Sequence, residues 1–108
     1  MLVLLDQGTP VPLRSFLTGH TVKTAAQQGW STLANGDLLR AAEAAGFDVL
    51  LTTDKNLVFQ QGLKDLKIAI VVLGNPQWPV VRLHAQEIVE AVNAATPGSY
   101  VVVNVAGK

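Results

Sequence analysis

The chain has 108 residues, the size of one domain, which is enough to bury a core without disulfides or structural metals. Hydrophobic residues make up 49% of it and charged residues 15%, a balance that favours a sheet covered on both faces or a buried oligomer interface. Eight basic residues are cancelled by eight acidic ones, which excludes a protein that holds nucleic acid by bulk positive charge alone.

The sequence contains no cysteine, so it offers neither a disulfide framework nor a thiolate metal site. The apolar run at residues 1–5 has no basic flank and is too short for the core of a signal peptide. It is also far shorter than the ~20 residues of a membrane span. We therefore expect a cytoplasmic protein without membrane association, folded as a single domain over residues 1–108.

The first predicted strand ends in an aspartate. Leu2–Leu5 is a short apolar run followed directly by Asp6, and a glycine and a proline at residues 8–10 break it. Residues 10–19 begin with two prolines and carry an apolar face at helical spacing, which predicts a short crossover helix. Residues 20–24 alternate and are rich in β-branched side chains, which predicts a second strand.

A helix in the middle of the chain is predicted to begin beside a second aspartate. Residues 25–36 have no sustained period and predict a helical turn followed by a loop. Residues 36–45 are rich in alanine and leucine, which favour a helix, and Gly46 is a typical helix end. Asp37 is therefore expected in the first turn of this helix, next to its exposed amide groups.

The third predicted strand delivers another aspartate to the rim of the sheet. Residues 48–53 form an apolar run that stops on a threonine, and Asp54 follows without a linker. Residues 55–62 then predict a short helix or loop. Parallel strands end at one edge of a sheet, so we expect Asp6 and Asp54 to share the edge where open α/β sheets place their ligands.

The last part of the chain predicts two strands and one long helix. Residues 67–73 are a nearly continuous β-branched run, typical of a parallel strand buried on both faces. Apolar side chains recur at helical spacing over residues 80–95, and residues 100–105 predict the last strand. Strands that alternate with helices predict a parallel sheet covered on both faces. The long helix and the apolar excess together lead us to expect a homodimer.

Three carboxylates can converge at this edge of the predicted sheet, from Asp6, Asp37 and Asp54. Carboxylates brought together repel one another unless they are protonated or hold a cation. Mg²⁺ and Mn²⁺ prefer oxygen ligands and commonly combine one or two carboxylates with waters and substrate phosphate. Each acid also has a simpler interpretation. Asp37 can be a charge favoured at a helix start, and Asp6 and Asp54 can be turn residues.

Short stretches in the first half of the chain resemble one protein family. They are LLD at residues 4–6, GW at residues 29–30, NGDLL at residues 35–39 and FDVLLTTDK at residues 47–55. In this order they resemble the small bacterial PIN-like family, which is related to the VapC-type toxins. The aspartate spacing, with Thr-x-Asp after the third strand, is the most specific part. The second half of the chain is compatible in length but carries no motif.

The resemblance implies a PIN-like three-layer α/β/α sandwich with a mostly parallel central sheet of about five strands. It also implies a ribonuclease that depends on Mg²⁺ or Mn²⁺, with Asp6, Asp37 and Asp54 as both the catalytic and the metal-binding residues. The implied partners are an RNA substrate and a cognate antitoxin protein, because related proteins are the toxins of toxin–antitoxin pairs.

Two positions depart from the family pattern and leave alternatives open. Relatives often carry a glutamate where this chain has Gln7, and a second aspartate where it has Asn56. Both changes remove negative charge from the expected site and favour a PIN-like module that binds RNA or a protein without cleaving. A third interpretation is a metal-binding phosphatase-like or receiver-like domain, although the chain lacks a receiver's acidic pair and a plausible lysine after its last strand.

Overall fold

The computed structural model describes residues 1–33, 35–54 and 66–104, which are built around a parallel sheet of five strands. The strands are β1 (Leu2–Leu5), β2 (Thr21–Thr24), β3 (Val49–Thr52), β4 (Ala69–Leu73) and β5 (Tyr100–Val103). They lie in the order β2-β1-β3-β4-β5, and every pair of neighbours is parallel. The predicted α/β fold with a parallel sheet of about five strands is confirmed.

Helices follow β1, β2 and β4 along the chain and cover both faces of the sheet. They are a 3₁₀ helix (Val11–Phe16), α1 (Asn35–Ala44), α2 (Trp78–Leu83) and α3 (Ala85–Asn93). The predicted end of α1 at Gly46 is confirmed, because this glycine has a φ of 90°. Its N–H donates to the Glu43 carbonyl and the Phe47 N–H donates to the Ala42 carbonyl, which satisfies two carbonyls at the helix end.

Side chains that alternate along the strands build two separate cores. In β1, Val3 and Leu5 belong to the core beneath the 3₁₀ helix, α2 and α3, while Leu4 belongs to the core beneath α1. All four residues of β3 and all five of β4 are buried, which is the pattern of strands covered on both faces. The described residues therefore form the three-layer α/β/α sandwich that was predicted.

The sequence predicts one helix over residues 80–95, and this prediction is wrong because the segment forms two helices. α2 begins at Trp78 with a proline in its first turn, and His84 separates it from α3 with a φ of −113° and a ψ of 16°. The His84 N–H donates to the Val81 carbonyl, three residues back, so the last turn of α2 tightens instead of continuing. The apolar stripe that suggested one helix still faces the core, since Val81 and Ile88 are fully buried.

The other predicted elements agree in place and differ in detail. Residues 10–19 contain a 3₁₀ helix of six residues, and β2 begins at Thr21. The predicted helix or loop at residues 55–62, the assignment of Asn56 and the extension of the last strand to residue 105 lie outside the described residues. Among the residues that are described, no helix is both long and apolar enough to cross a membrane.

Candidate functional site

Asp6 and Asp54 follow the two central strands at the point where the chain changes direction across the sheet. β1 and β3 are neighbours, but the chain passes from β1 to β2 on one side and from β3 to β4 on the other. In open α/β sheets, ligands bind in the crevice that opens outside the carboxyl ends of two such strands. The sheet order therefore places both acids at the preferred ligand position of this class of fold.

The Asp6 carboxylate is held on both of its oxygens. Oδ1 accepts a hydrogen bond of 2.7 Å from the backbone N–H of Gln7, and Oδ2 accepts one of 2.7 Å from the hydroxyl of Thr52. The backbone N–H of Asp6 donates to the Leu51 carbonyl at 2.9 Å, which continues the pairing of β1 with β3 beyond the strand. The side chain is half-buried, so it is oriented by the protein and still reaches the crevice.

Thr52 joins the two strand ends. Its side chain is fully buried, at 0% exposure, and its hydroxyl donates to Asp6 while accepting a hydrogen bond of 3.1 Å from the backbone N–H of Asp54. A hydroxyl has one hydrogen to donate and lone pairs to accept with, so both bonds can form together. Thr52 was not predicted as a site residue, although it is the threonine of the Thr-x-Asp motif and so stands two residues before Asp54.

The loop after β1 is fixed against the end of β3 by two small residues. The buried hydroxyl of Thr9 donates to the Leu51 carbonyl at 3.0 Å, and its N–H donates to the Asp6 carbonyl at 2.9 Å. A Cβ on Gly8 would lie 2.6 Å from the hydroxyl oxygen of Thr53, so a larger residue at position 8 would force the Thr53 side chain to move. Sequence reasoning read the glycine only as a break after the strand.

Asp37 takes its predicted place in the first turn of α1, where its carboxylate lies 3.6 Å from the Arg40 guanidinium. The Asp37 side chain is 69% exposed. In residues 1–33, 35–54 and 66–104, no group of three or more His, Cys, Asp or Glu side chains is arranged to hold a metal ion. The structure thus links Asp6 to the backbone at Asp54 through Thr52, and it does not bring Asp37 into that network.

Asp6 and Asp54 would suit a Mg²⁺ or Mn²⁺ ion that keeps several of its waters. They are too few for an ion that is enclosed by protein ligands alone. Each Asp6 oxygen accepts one protein hydrogen bond, and a carboxylate oxygen has about two acceptor sites, so capacity remains on the crevice side. Asp54 is half-buried at the end of the neighbouring strand, with its backbone N–H donated to the Thr52 hydroxyl. Mg²⁺ usually keeps several waters and binds through only one or two carboxylates. Two carboxylates at the ends of β1 and β3 are therefore enough in number for such an ion.

A cleft of about 420 Å³ opens beside Asp6, at the ends of β1 and β2. Asp6, Gln7 and Thr9 line it from the loop after β1, and residues 24–26 line it from the end of β2. The side chain of Val11, in the 3₁₀ helix, completes it. The cleft is thus continuous with the Asp6 carboxylate and lies one strand away from Thr52 and Asp54.

Acids at the opposite edge of the sheet have structural roles instead. Oδ2 of Asp48 accepts the N–H of Leu2 at 2.9 Å. Oε1 of Glu43 accepts the N–H groups of both Lys67 and Ile68. These carboxylates satisfy backbone donors where strands begin. Among the described residues, the smaller opening of about 270 Å³ at that end of the sheet therefore holds no acid that is placed like Asp6.

Comparison with known proteins adds no assignment. No protein-family model matches the chain, and no significant match is found among curated proteins or solved structures.

Proposed function

We propose that this chain is a metal-dependent endoribonuclease of the PIN-like class and the toxin of a toxin–antitoxin pair. The observation that carries the proposal is the network of Asp6, Thr52 and Asp54 at the switch point of a parallel sheet. The buried Thr52 hydroxyl orients the Asp6 side chain and binds the backbone of Asp54. If the two acids were only turn residues, they would not need this link. The spacing of these residues is also the most specific part of the PIN-like resemblance.

The residues of the chain would position the reacting groups. Thr52 and the Gln7 N–H hold the Asp6 carboxylate in one orientation, so little reorganisation is needed when a cation binds. Asp54 extends the acidic edge from the neighbouring strand. A Mg²⁺ or Mn²⁺ ion bound here would activate a water and neutralise charge on the scissile phosphate. Because the chain carries no net charge, a bound cation would also be important for attracting the RNA backbone.

Asp37 is the third acid that the resemblance implies, and its place in the site is a proposal. It pairs with Arg40 on the exposed side of α1, so it joins Asp6 and Asp54 only if its side chain leaves that pair. Exposed ion pairs contribute about 0–1 kcal/mol, so a divalent cation can compete for this carboxylate. The Asp37 carboxylate would then serve as an outer ligand, through water.

The second candidate function is a PIN-like module that binds RNA or a protein partner without cleaving. It is favoured by the position of Gln7, which lines the same cleft as Asp6 and stands where relatives often carry an acid. A receiver-like domain is disfavoured, because β5 is followed by Asn104 where a receiver carries a lysine. The two PIN-like functions share a fold and differ in metal binding and cleavage.

Thermal melts with Mn²⁺ test the proposed site. A cation that binds only the folded protein stabilises it by about 2.7 kcal/mol at a hundredfold excess over its dissociation constant. We expect Mn²⁺ to raise the Tm of the wild type and to have little effect on Asp6→Asn/Asp54→Asn. In this variant the amide oxygen at position 6 can still accept the Thr52 hydrogen bond, and the backbone N–H of residue 54 can still donate to Thr52. Asp37→Asn, tested alone, is expected to retain most of the shift.

Glu87→Gln/Glu90→Gln is the matched control, because it removes the same charge from exposed acids of α3. Equal Mn²⁺ shifts in this control, the wild type and the Asp6/Asp54 variant would rule out the shared site. RNA cleavage is then measured on single-stranded RNA with Mn²⁺ and after chelation. Metal binding without cleavage would favour the non-catalytic module.

The toxin assignment predicts a second, independent result. Expression of the wild type is expected to arrest growth, and co-expression of the product of the neighbouring gene is expected to relieve the arrest. A small DNA-binding protein encoded next door is the expected antitoxin. Growth arrest that persists in Asp6→Asn/Asp54→Asn would show that toxicity does not depend on the acidic edge.

A further inference from the structure

The cleft beside Asp6 has no role in the proposed chemistry, which uses the β1 and β3 side of that residue. Its volume of about 420 Å³ falls in the range of ~300–1,000 Å³ that is typical of small-ligand sites. Its shape suits one ring system with its attached groups and is too small for a nucleic-acid duplex. Any occupant would touch Asp6, because that residue is part of the cleft wall.

The walls of the cleft combine apolar side chains with polar ones, and among the polar residues Asp6 and Gln7 keep hydrogen-bonding capacity. Val11 is 52% exposed, which is unusual for a valine beside a core, and Ala26 is exposed next to it on the cleft lining. Thr24 already accepts the N–H of Gln27 through its hydroxyl. The Gln7 side chain is exposed and makes no hydrogen bond to any residue that the structure describes. Its amide therefore offers both a donor and an acceptor to a ligand.

We infer that this cleft binds one nucleotide of a single-stranded RNA, next to the phosphate that is cut; the inference rests on the proposed nuclease function. A base presents a flat face to Val11 and Ala26, and its polar edge comes within reach of the Gln7 amide. Sequence-specific RNA recognition commonly uses unpaired bases held in this way, by contact on a face and by hydrogen bonds at an edge.

The spacing of the sheet agrees with this placement. Neighbouring strands are about 4.8 Å apart, so a base at the end of β2 lies about one strand spacing from a phosphate at the ends of β1 and β3. A nucleotide spans this distance between its base and its own or the adjacent phosphate. Asp6 lies between the two positions, since it lines the cleft and accepts a hydrogen bond from Thr52.

Nucleotide titrations followed by amide chemical shifts test the inference. AMP, GMP, CMP and UMP are added to the full chain with Mg²⁺, and the largest changes are expected at Gln7, Thr9, Val11 and residues 24–26. Ala26→Leu partly fills the cleft and is expected to weaken nucleotide binding by about tenfold or more. Gln7→Leu is expected to weaken it as well, while leaving the apolar wall intact.

Ala44→Leu is the matched control, because Ala44 is equally exposed at the end of α1 and lies outside the cleft. It is expected to bind nucleotides like the wild type. Ala26→Leu is expected to keep the Mn²⁺ shift in Tm, because Asp6 and Asp54 are unchanged. Nucleotide binding that maps elsewhere, or that is equal in Ala26→Leu and Ala44→Leu, overturns the subsite. Absence of the Mn²⁺ shift in the wild type overturns the proposed nuclease instead, so the two failures are distinguishable.

Discussion

Replacing Thr52 with valine would test the central link of the site. Valine has nearly the shape of threonine and lacks the hydroxyl, so Thr52→Val removes the donor to Asp6 and the acceptor for the Asp54 N–H without opening a cavity. Thr52→Ser is the complementary variant, because it keeps the hydroxyl and loses only a buried methyl group. Comparing the two separates the hydrogen bonds from packing.

The magnitude follows from the two bonds that are lost. A hydrogen bond to a charged group contributes about 1.5–3 kcal/mol and one between neutral groups about 0.5–1.5 kcal/mol. Water can replace part of the bond to Asp6, which is half-buried, so we expect Thr52→Val to lower the free energy of unfolding by about 2 kcal/mol. In a domain of this size that corresponds to a Tm lower by about 8–16 °C. Thr52→Ser should cost about 1 kcal/mol, the value of one buried methyl group.

Urea denaturation of the metal-free proteins measures the differences in the free energy of unfolding. A double-mutant cycle with Asp6→Ala then gives the coupling energy between Thr52 and Asp6. Residues joined by a hydrogen bond show a coupling energy of about 0.5–3 kcal/mol, so the effects of Thr52→Val and Asp6→Ala should not add. A Thr52→Val protein as stable as Thr52→Ser, or strict additivity in the cycle, would refute the assigned role of the hydroxyl. Thr52→Val should also show a smaller Mn²⁺ shift, since Asp6 is no longer oriented.

Three further variants probe neighbouring features. Gln7→Glu adds a carboxylate beside Asp6, so calorimetric titration should show tighter Mn²⁺ binding, while the metal-free protein loses about 1 kcal/mol through repulsion between like charges. Unchanged Mn²⁺ affinity would place residue 7 outside the site. Gly8→Ala should lower the free energy of unfolding by about 1 kcal/mol or more, because the added methyl group clashes with Thr53. The same substitution should have little effect on stability in a Thr53→Ala background. Equal losses of stability in both backgrounds would contradict the close approach of the two residues. The homodimer was expected from the helix at residues 80–95 and the apolar excess, and the exposed edge strand β5 offers it a further surface. If β5 forms the interface, Val101→Lys/Val102→Lys should give a monomer in light scattering at about tens of micromolar, where the wild type should be a dimer. A monomeric wild type would contradict that assembly.

The sheet edge could be predicted because it depends on short-range patterns. Leu2–Leu5 and Val49–Thr52 are apolar runs that end abruptly, so the position of each following acid follows from where its strand stops. If the two strands are parallel, Asp6 and Asp54 must follow them at the same end of the sheet, whatever the order of the strands. The α/β class and the ends of α1 follow from similarly local signals, such as the glycine at position 46.

Side-chain partners could not be predicted from the same patterns. Whether Asp37 faces the crevice or Arg40 depends on the rotation of α1 on its sheet face, which is set by the packing of Leu38 and Leu39. The bond between Thr52 and Asp6 depends on strand register across 46 residues of sequence. The break at His84 is set by the backbone geometry at that residue, while the apolar period on either side of it continues unchanged.

The strand end that carries Asp6 is bonded to its neighbours on both sides. The Asp6 N–H donates to the Leu51 carbonyl, and the Leu5 carbonyl accepts the N–H of Ala25. The Asp6 amide should therefore exchange its hydrogen with solvent only when the sheet itself opens, at a rate close to that of global unfolding. The acid is then among the least mobile points of the backbone, and a ligand that binds there loses little free energy in ordering it. Adaptation to different ligands would have to come from the cleft side chains, while the position of the carboxylate stays fixed.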